Sequence, residues 1–131
     1  MSKFRLFHLS DCPTKLMPGN RGEQTPLIDE SCGAKTIDVH FNRLAAGEPG
    51  GLFHFHTNSD NVYIVKSGKG QLIVEENEYI IGEDDIVYIP AGQRHSLKNA
   101  SSSEPFEIFE IYTPAGKAFD FVVDGKNIGI G

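Results

Sequence analysis

Two stretches decide how this chain folds: GGLFHFHTNSDNVYIVKSG (residues 50–68) and DDIVYIPAGQRHSLKN (residues 84–99). Each joins a short β-branched run to clustered glycine, proline, asparagine or aspartate, the pattern of a strand that stops at a turn. Side chains two apart leave a strand on one face, so His54 and His56 point together while Phe53 and Phe55 turn to the other side. One face binds and the other packs. Working outward, the runs at 62–65, 71–75, 86–89 and 106–112 are equally short and rich in β-branched or aromatic residues. Residues 36–44 alternate Ile37, Val39 and Phe41 against Asp38, His40 and Asn42. Turn chemistry separates these runs at Glu48-Pro49-Gly50-Gly51, Ser67-Gly68-Lys69-Gly70, Gly82-Glu83-Asp84-Asp85 and Pro90-Ala91-Gly92, which predicts antiparallel pairing of successive strands. Fourteen glycines and seven prolines break up any helical period. The expected class is all-β, a sandwich or barrel.

A chain of 131 residues fits a single compact domain, 1–131, with its strand-rich core at 36–112. Residues 11–35 hold prolines and glycines with few regularly spaced apolar side chains, so 1–35 reads as a lid or as an arm toward a partner chain. Past 113 only Phe119, Phe121 and Val123 alternate, enough for one edge strand. Twelve basic against 18 acidic side chains give a net charge of −6, and no basic cluster offers a footprint for phosphates. Neither nucleic acid nor a membrane is expected as a partner. No apolar stretch nears the roughly 18 residues that a spanning helix needs. The opening MSKFRLFHLSDCP lacks the apolar core and cleavage site of a secretory leader, so the expected location is the cytoplasm. In that reducing compartment Cys12 and Cys32 are expected as free thiols.

The two blocks resemble the motifs of the cupin superfamily. The first motif of that family carries HxH, a glutamate four or five residues later and then a glycine; His54, His56 and Gly68 fall on it. The second carries PxG, a histidine and an asparagine; Pro90, Gly92, His95 and Asn99 match in register. The glycines that open the two motifs are replaced by Glu48 and Asp84. The resemblance covers about residues 36–112 and implies a small single-domain (RmlC-like) cupin, an antiparallel barrel or double-stranded β-helix of the jelly-roll kind, with a pocket between its sheets. It also implies that His95 joins His54 and His56 as ligands of one divalent transition metal per chain. Nitrogen-rich ligation suits iron, nickel, copper or zinc, with manganese also accommodated. The family glutamate is Asn61 here, a neutral and weaker metal ligand. Asp60 is adjacent but faces the other way in a regular strand.

Alternate strand residues then wall the pocket. Tyr63 shares the parity of Asn61 and is either a catalytic acid, base or hydrogen-bond donor or an ordinary packing aromatic. Glu110 sits in an apolar strand: facing inward it is a candidate catalytic proton shuttle, facing outward it is solvated, and Glu107 takes the opposite side. For His40, with Asp38 and Asn42, solvent is the default direction and a wet cavity the alternative. His8 has no ligand partner nearby and receives no role.

The resemblance implies a metal-dependent oxidoreductase of dioxygenase type acting on a small polar or anionic molecule, with a metal-dependent isomerase or lyase next. A non-catalytic metabolite- or sugar-binding cupin is the competing class. Outward apolar residues such as Phe53 and Phe55 suggest a homodimer.

Overall fold

The structure, a computed structural model, describes residues 3–47 and 50–128. Glu48 and Pro49, read above as part of a turn and as a departure from the first motif, lie outside the described residues, as does the glycine-rich end at 129–131. Eleven strands are present among the described residues: β1 (Lys15–Leu16), β2 (Glu23–Ile28), β3 (Asp38–Leu44), β4 (Asp60–Ser67), β5 (Lys69–Val74), β6 (Asn77–Gly82), β7 (Ile86–Ile89), β8 (His95–Asn99), β9 (Phe106–Thr113), β10 (Val122–Val123) and β11 (Lys126–Asn127). A six-stranded sheet in the order β1-β2-β3-β9-β4-β7 faces a three-stranded sheet β6-β5-β8, and β10-β11 form a separate hairpin. Every pairing is antiparallel. The fold is the expected all-β jelly roll.

Successive strands do not all pair, which corrects one expectation from the turns. After β4 the chain leaves the large sheet at Ser67-Gly68 and enters the small one as β5. Gly68 makes that corner possible: its φ is +84°, and a Cβ there would stand 2.3 Å from the Pro105 carbonyl oxygen. Asp84, standing where the second motif opens on glycine, has φ +69°, a left-handed geometry that aspartate tolerates better than most residues.

Residues 15–28, read as part of a connection, instead supply β1 and β2 at the edge of the large sheet. Pro26 and a register shift between Pro26 and Ile28 hide this strand from an alternation test. Strand β6 was equally hard to read, because Ile81 is its one buried residue. Cys12 and Cys32 are free thiols, as expected.

The inner faces divide into a dry end and a polar end. Tyr63, Val65, Leu72, Ile81, Ile89, Phe106 and Ile108 form the apolar core. Along β9 the inward residues run Phe106, Ile108, Glu110, Tyr112, passing from that core into a cavity of about 600 Å³. Cross-strand register sets His40, Glu110 and Tyr63 in one row over β3, β9 and β4, with Asp38, Tyr112 and Asn61 in the next. No described helix is long and apolar enough to cross a membrane.

Candidate metal centre

Backbone pairing brings the first and third histidines together. His54 N donates to His95 O at 3.0 Å, and His95 N to His54 O at 2.7 Å, an isolated bridge that joins the HxH segment to the start of β8. His56, two residues on, has its carbonyl held by the Gly92 N–H of the second motif at 2.8 Å. One candidate ligand atom from each of His54, His56 and His95 lies within 4.8 Å of the others. Nitrogens sharing one divalent ion stand roughly 3–4 Å apart, so a small inward adjustment closes the set.

Contacts to backbone carbonyls fix which nitrogen of each ring faces inward. Nδ1 of His54 lies 2.7 Å from Leu52 O, that of His56 2.5 Å from Asp120 O, and that of His95 2.9 Å from Gln93 O. A carbonyl only accepts, so each Nδ1 carries the hydrogen and each Nε2 keeps a free lone pair. Backbone carbonyls orient metal-bound histidines in this way. The Nε2 of His95 is buried without a hydrogen-bond partner among the described residues, which is unfavourable for a polar atom unless something binds it. Burial, followed by the neighbouring His95, lowers the His54 pKa to about 3, and burial likewise lowers that of His95. Both rings are therefore neutral near pH 7, the form that ligates. The donor set fits a divalent transition metal.

A second cluster shares the cavity. Glu110 faces inward, resolving the alternative left by sequence, while Glu107 faces the other way and accepts from Ser67 at 2.6 Å. Oε1 of Glu110 accepts from His40 Nε2 at 2.6 Å and from Asn42 Nδ2 at 3.3 Å, and Oε2 accepts from Asn61 Nδ2 at 3.0 Å. Asp38 Oδ1 takes the other His40 nitrogen at 2.9 Å. The default placement of His40 toward solvent is thus corrected: it is 4% exposed and bridges two carboxylates. Period-two alternation gives sidedness only up to inversion, and here the polar side is the inside.

A histidine donating from both nitrogens to carboxylates is an imidazolium. Burial alone would lower its pKa, but Glu110 and Asp38 together raise it to about 9. Burial would likewise raise the pKa of Glu110, yet His40 brings it down to about 2. The unfolded chain protonates His40 only below 6.5, so this contribution to stability is complete below that pH and is lost as pH rises through about 9. The unfolding midpoint of the metal-free protein is accordingly expected to fall between those pH values, where His54 and His95 no longer titrate. His40→Gln should flatten that slope, and an equally steep slope in the variant would contradict the assignment.

Tyr63 is buried in the core, as a packing aromatic would be, and also lines the cavity. Burial, then Glu110, raises its pKa well above the usual phenol value. Asn61 is 1% exposed, its Nδ2 engaged by Glu110 and its Oδ1 without a partner among the described residues. Asp60 is occupied elsewhere, accepting from the Ala91 N–H at 2.9 Å. Phe119 and Phe121 close one side, with Phe121 stacked on His54 at 3.8 Å between ring centroids. The sequence placed these two on an edge strand and gave no sign that they cover the histidines. Lys15, Arg21 and Lys98 also line the cavity, and none forms an ion pair among the described residues.

Comparison with known proteins agrees with this geometry. The family described as Cupin domain matches residues 40–112. A mannose-1-phosphate guanylyltransferase of Klebsiella pneumoniae is 32% identical over 95 residues, 71% of this chain and 20% of that protein, so the chain spans about a fifth of its length. Among solved structures, the polyketide cyclase RemF from Streptomyces resistomycificus superposes with a TM-score of 0.78 at 16% identity, covering 98% of this chain and 88% of that one. A putative sugar phosphate isomerase from Acidithiobacillus ferrooxidans superposes with a TM-score of 0.66 at 23% identity, covering 87% and 72% respectively. At these identities the superpositions speak for the fold.

Proposed function

This chain belongs to the cupin domain family, and from that premise we propose that it is a metal-dependent cupin enzyme, with oxygen-dependent oxidation of a small polar or anionic molecule as its leading chemistry. The observation that carries the reading is the set of three imidazoles, each held by a backbone carbonyl through Nδ1 and each offering a ligand atom within 4.8 Å of the others. His54, His56 and His95 would hold one ion per chain, with the unpartnered Oδ1 of Asn61 as a weak fourth ligand. Iron, nickel, copper, zinc and manganese all suit this donor set. Bound there, the ion would supply Lewis acidity and, for the redox-active metals, electron transfer.

The surrounding residues bind and position. Lys15, Arg21 and Lys98 give the cavity mouth a positive rim for an anionic group. Glu110, kept ionised by His40, would receive a substrate proton only in passing, as a shuttle, and the Tyr63 hydroxyl, kept protonated by its surroundings, would be a hydrogen-bond donor. Phe119 and Phe121 exclude water from the histidine side.

The test is aerobic and anaerobic turnover of small acids, sugars and thiols by metal-loaded protein. Oxygen consumption matching substrate loss is expected. Equal turnover without oxygen would move the assignment to a metal-dependent isomerase or lyase, a class in which the superposed isomerase name stands. Replacement of the family glutamate by Asn61 favours a second reading, a non-catalytic metabolite or sugar binder. Protein purified without stoichiometric metal but with a bound small molecule would support that one.

We also infer a cytoplasmic homodimer. Phe55 does not contribute as expected, because it is half-buried and bridged to Val122 of its own C-terminal hairpin. The exposed apolar residues that a second copy would cover are Ile80, Ile86 and Tyr88 on β6 and β7. Sedimentation at the mass of one chain would exclude the dimer.

A further inference from the structure

The carboxylate of Glu110 sits at the centre of a buried hydrogen-bond network that includes Asn61. Three side chains hold that carboxylate: His40 and Asn42 on one oxygen, Asn61 on the other. Asn61 and Glu110 stand on neighbouring strands, Asn61 opposite Tyr112 and Glu110 opposite Tyr63, so the contact is diagonal across the β4–β9 pair. Asp38, His40 and Glu110 together carry two negative charges and one positive. The cavity that holds the three histidines is therefore also lined by a network of net charge −1.

A divalent ion on three neutral imidazoles brings charge +2 into a largely buried site, and such charge needs a compensating anion nearby. We propose that Glu110 has taken over the counter-charge that position 61 lacks, and that Asn61 now serves to hold Glu110 beside the histidine triad. Glu110 is outside the set of converging ligand atoms, so it acts as an outer carboxylate through space and through water. Glu110 lines the same cavity as His54 and His56, which places its charge beside the histidine cluster. The Asn61 amide donates to this carboxylate across the β4–β9 pair, so the charge of the pair sits on β9. His40, Asn42 and Asp38 are positioning residues for it. The inference rests on the metal reading above.

The experiment titrates zinc alone against a chromophoric chelator near pH 7. In Glu110→Gln, which keeps the shape and leaves His40 paired with Asp38, zinc affinity is expected to fall tenfold or more. The swap Asn61→Asp with Glu110→Gln exchanges amide and carboxylate across the same hydrogen bond, and is expected to restore affinity to within about threefold of the wild type. Should Glu110→Gln fail to fold, the swap decides: zinc binding near the wild-type level supports the inference, and weak binding overturns it. Affinity unchanged in Glu110→Gln, or a tenfold loss that the swap does not repair, overturns it too. Failure of the wild type to take up zinc would remove the metal reading and this inference with it, whereas uptake indifferent to Glu110 removes this inference alone.

Discussion

His54→Ala is expected to lower zinc affinity by on the order of a hundredfold or more and to leave purified protein without stoichiometric metal. Loss of a side chain that merely orients a ligand costs 10–100-fold in affinity, and loss of the ligand itself should cost at least as much. The fold should survive. His54 is half-buried, and its backbone bridge to His95 remains when the ring is removed. The expected result is therefore a folded protein with a thermal midpoint near that of metal-free wild type and no stoichiometric metal by elemental analysis. Wild-type metal content in the variant would remove His54 from the site.

The largest effect on stability is expected at the other end of the barrel. Phe106 is fully buried, and its ring fills the space above Gly70, where an added Cβ would sit 2.5 Å from the ring tip. Glycine on β5 and phenylalanine on β9 are thus complementary surfaces of the two sheets. Phe106→Ala removes the ring and leaves a hole lined by rigid strands, at a cost of about 3–5 kcal/mol. That is a large share of the roughly 5–15 kcal/mol by which domains are stable. For a chain of this length the midpoint should drop by about 10–20 °C. A drop under about 5 °C would show that the sheets close over the space, contrary to the packing described here.

Both effects concern residues whose importance was unequally legible. The HxH spacing of His54 and His56 and the PxG-to-His95 spacing are local, so the strand period and the turn chemistry expose them directly. The departure at Asn61 was visible for the same reason. What could not be read is what depends on strand order. His40 meets Glu110 only because β3 and β9 are neighbours, 70 residues apart in sequence. Alternation in β3 separated Asp38, His40 and Asn42 from Ile37, Val39 and Phe41 correctly, yet it carries no sign telling which set faces in. A barrel with a wet cavity turns the usual rule over at one end and keeps it at the other. Leu44 and Ile108 pack on or in the dry core while His40 and Glu110, on the same faces of the same strands, line the polar cavity. β2 is hidden because Pro26 interrupts its alternation, and the role of Phe121 because its contact with His54 joins residues separated by β4 to β9.

The central claim is that three histidines share one ion. Diffraction from crystals of metal-loaded protein, recorded on both sides of the metal absorption edge, tests it most directly. The account predicts one anomalous peak per chain, about 2.0–2.3 Å from Nε2 of His54, His56 and His95 alike. A map with no peak there, or with the three Nε2 atoms turned to separate hydrogen-bond partners, would contradict it.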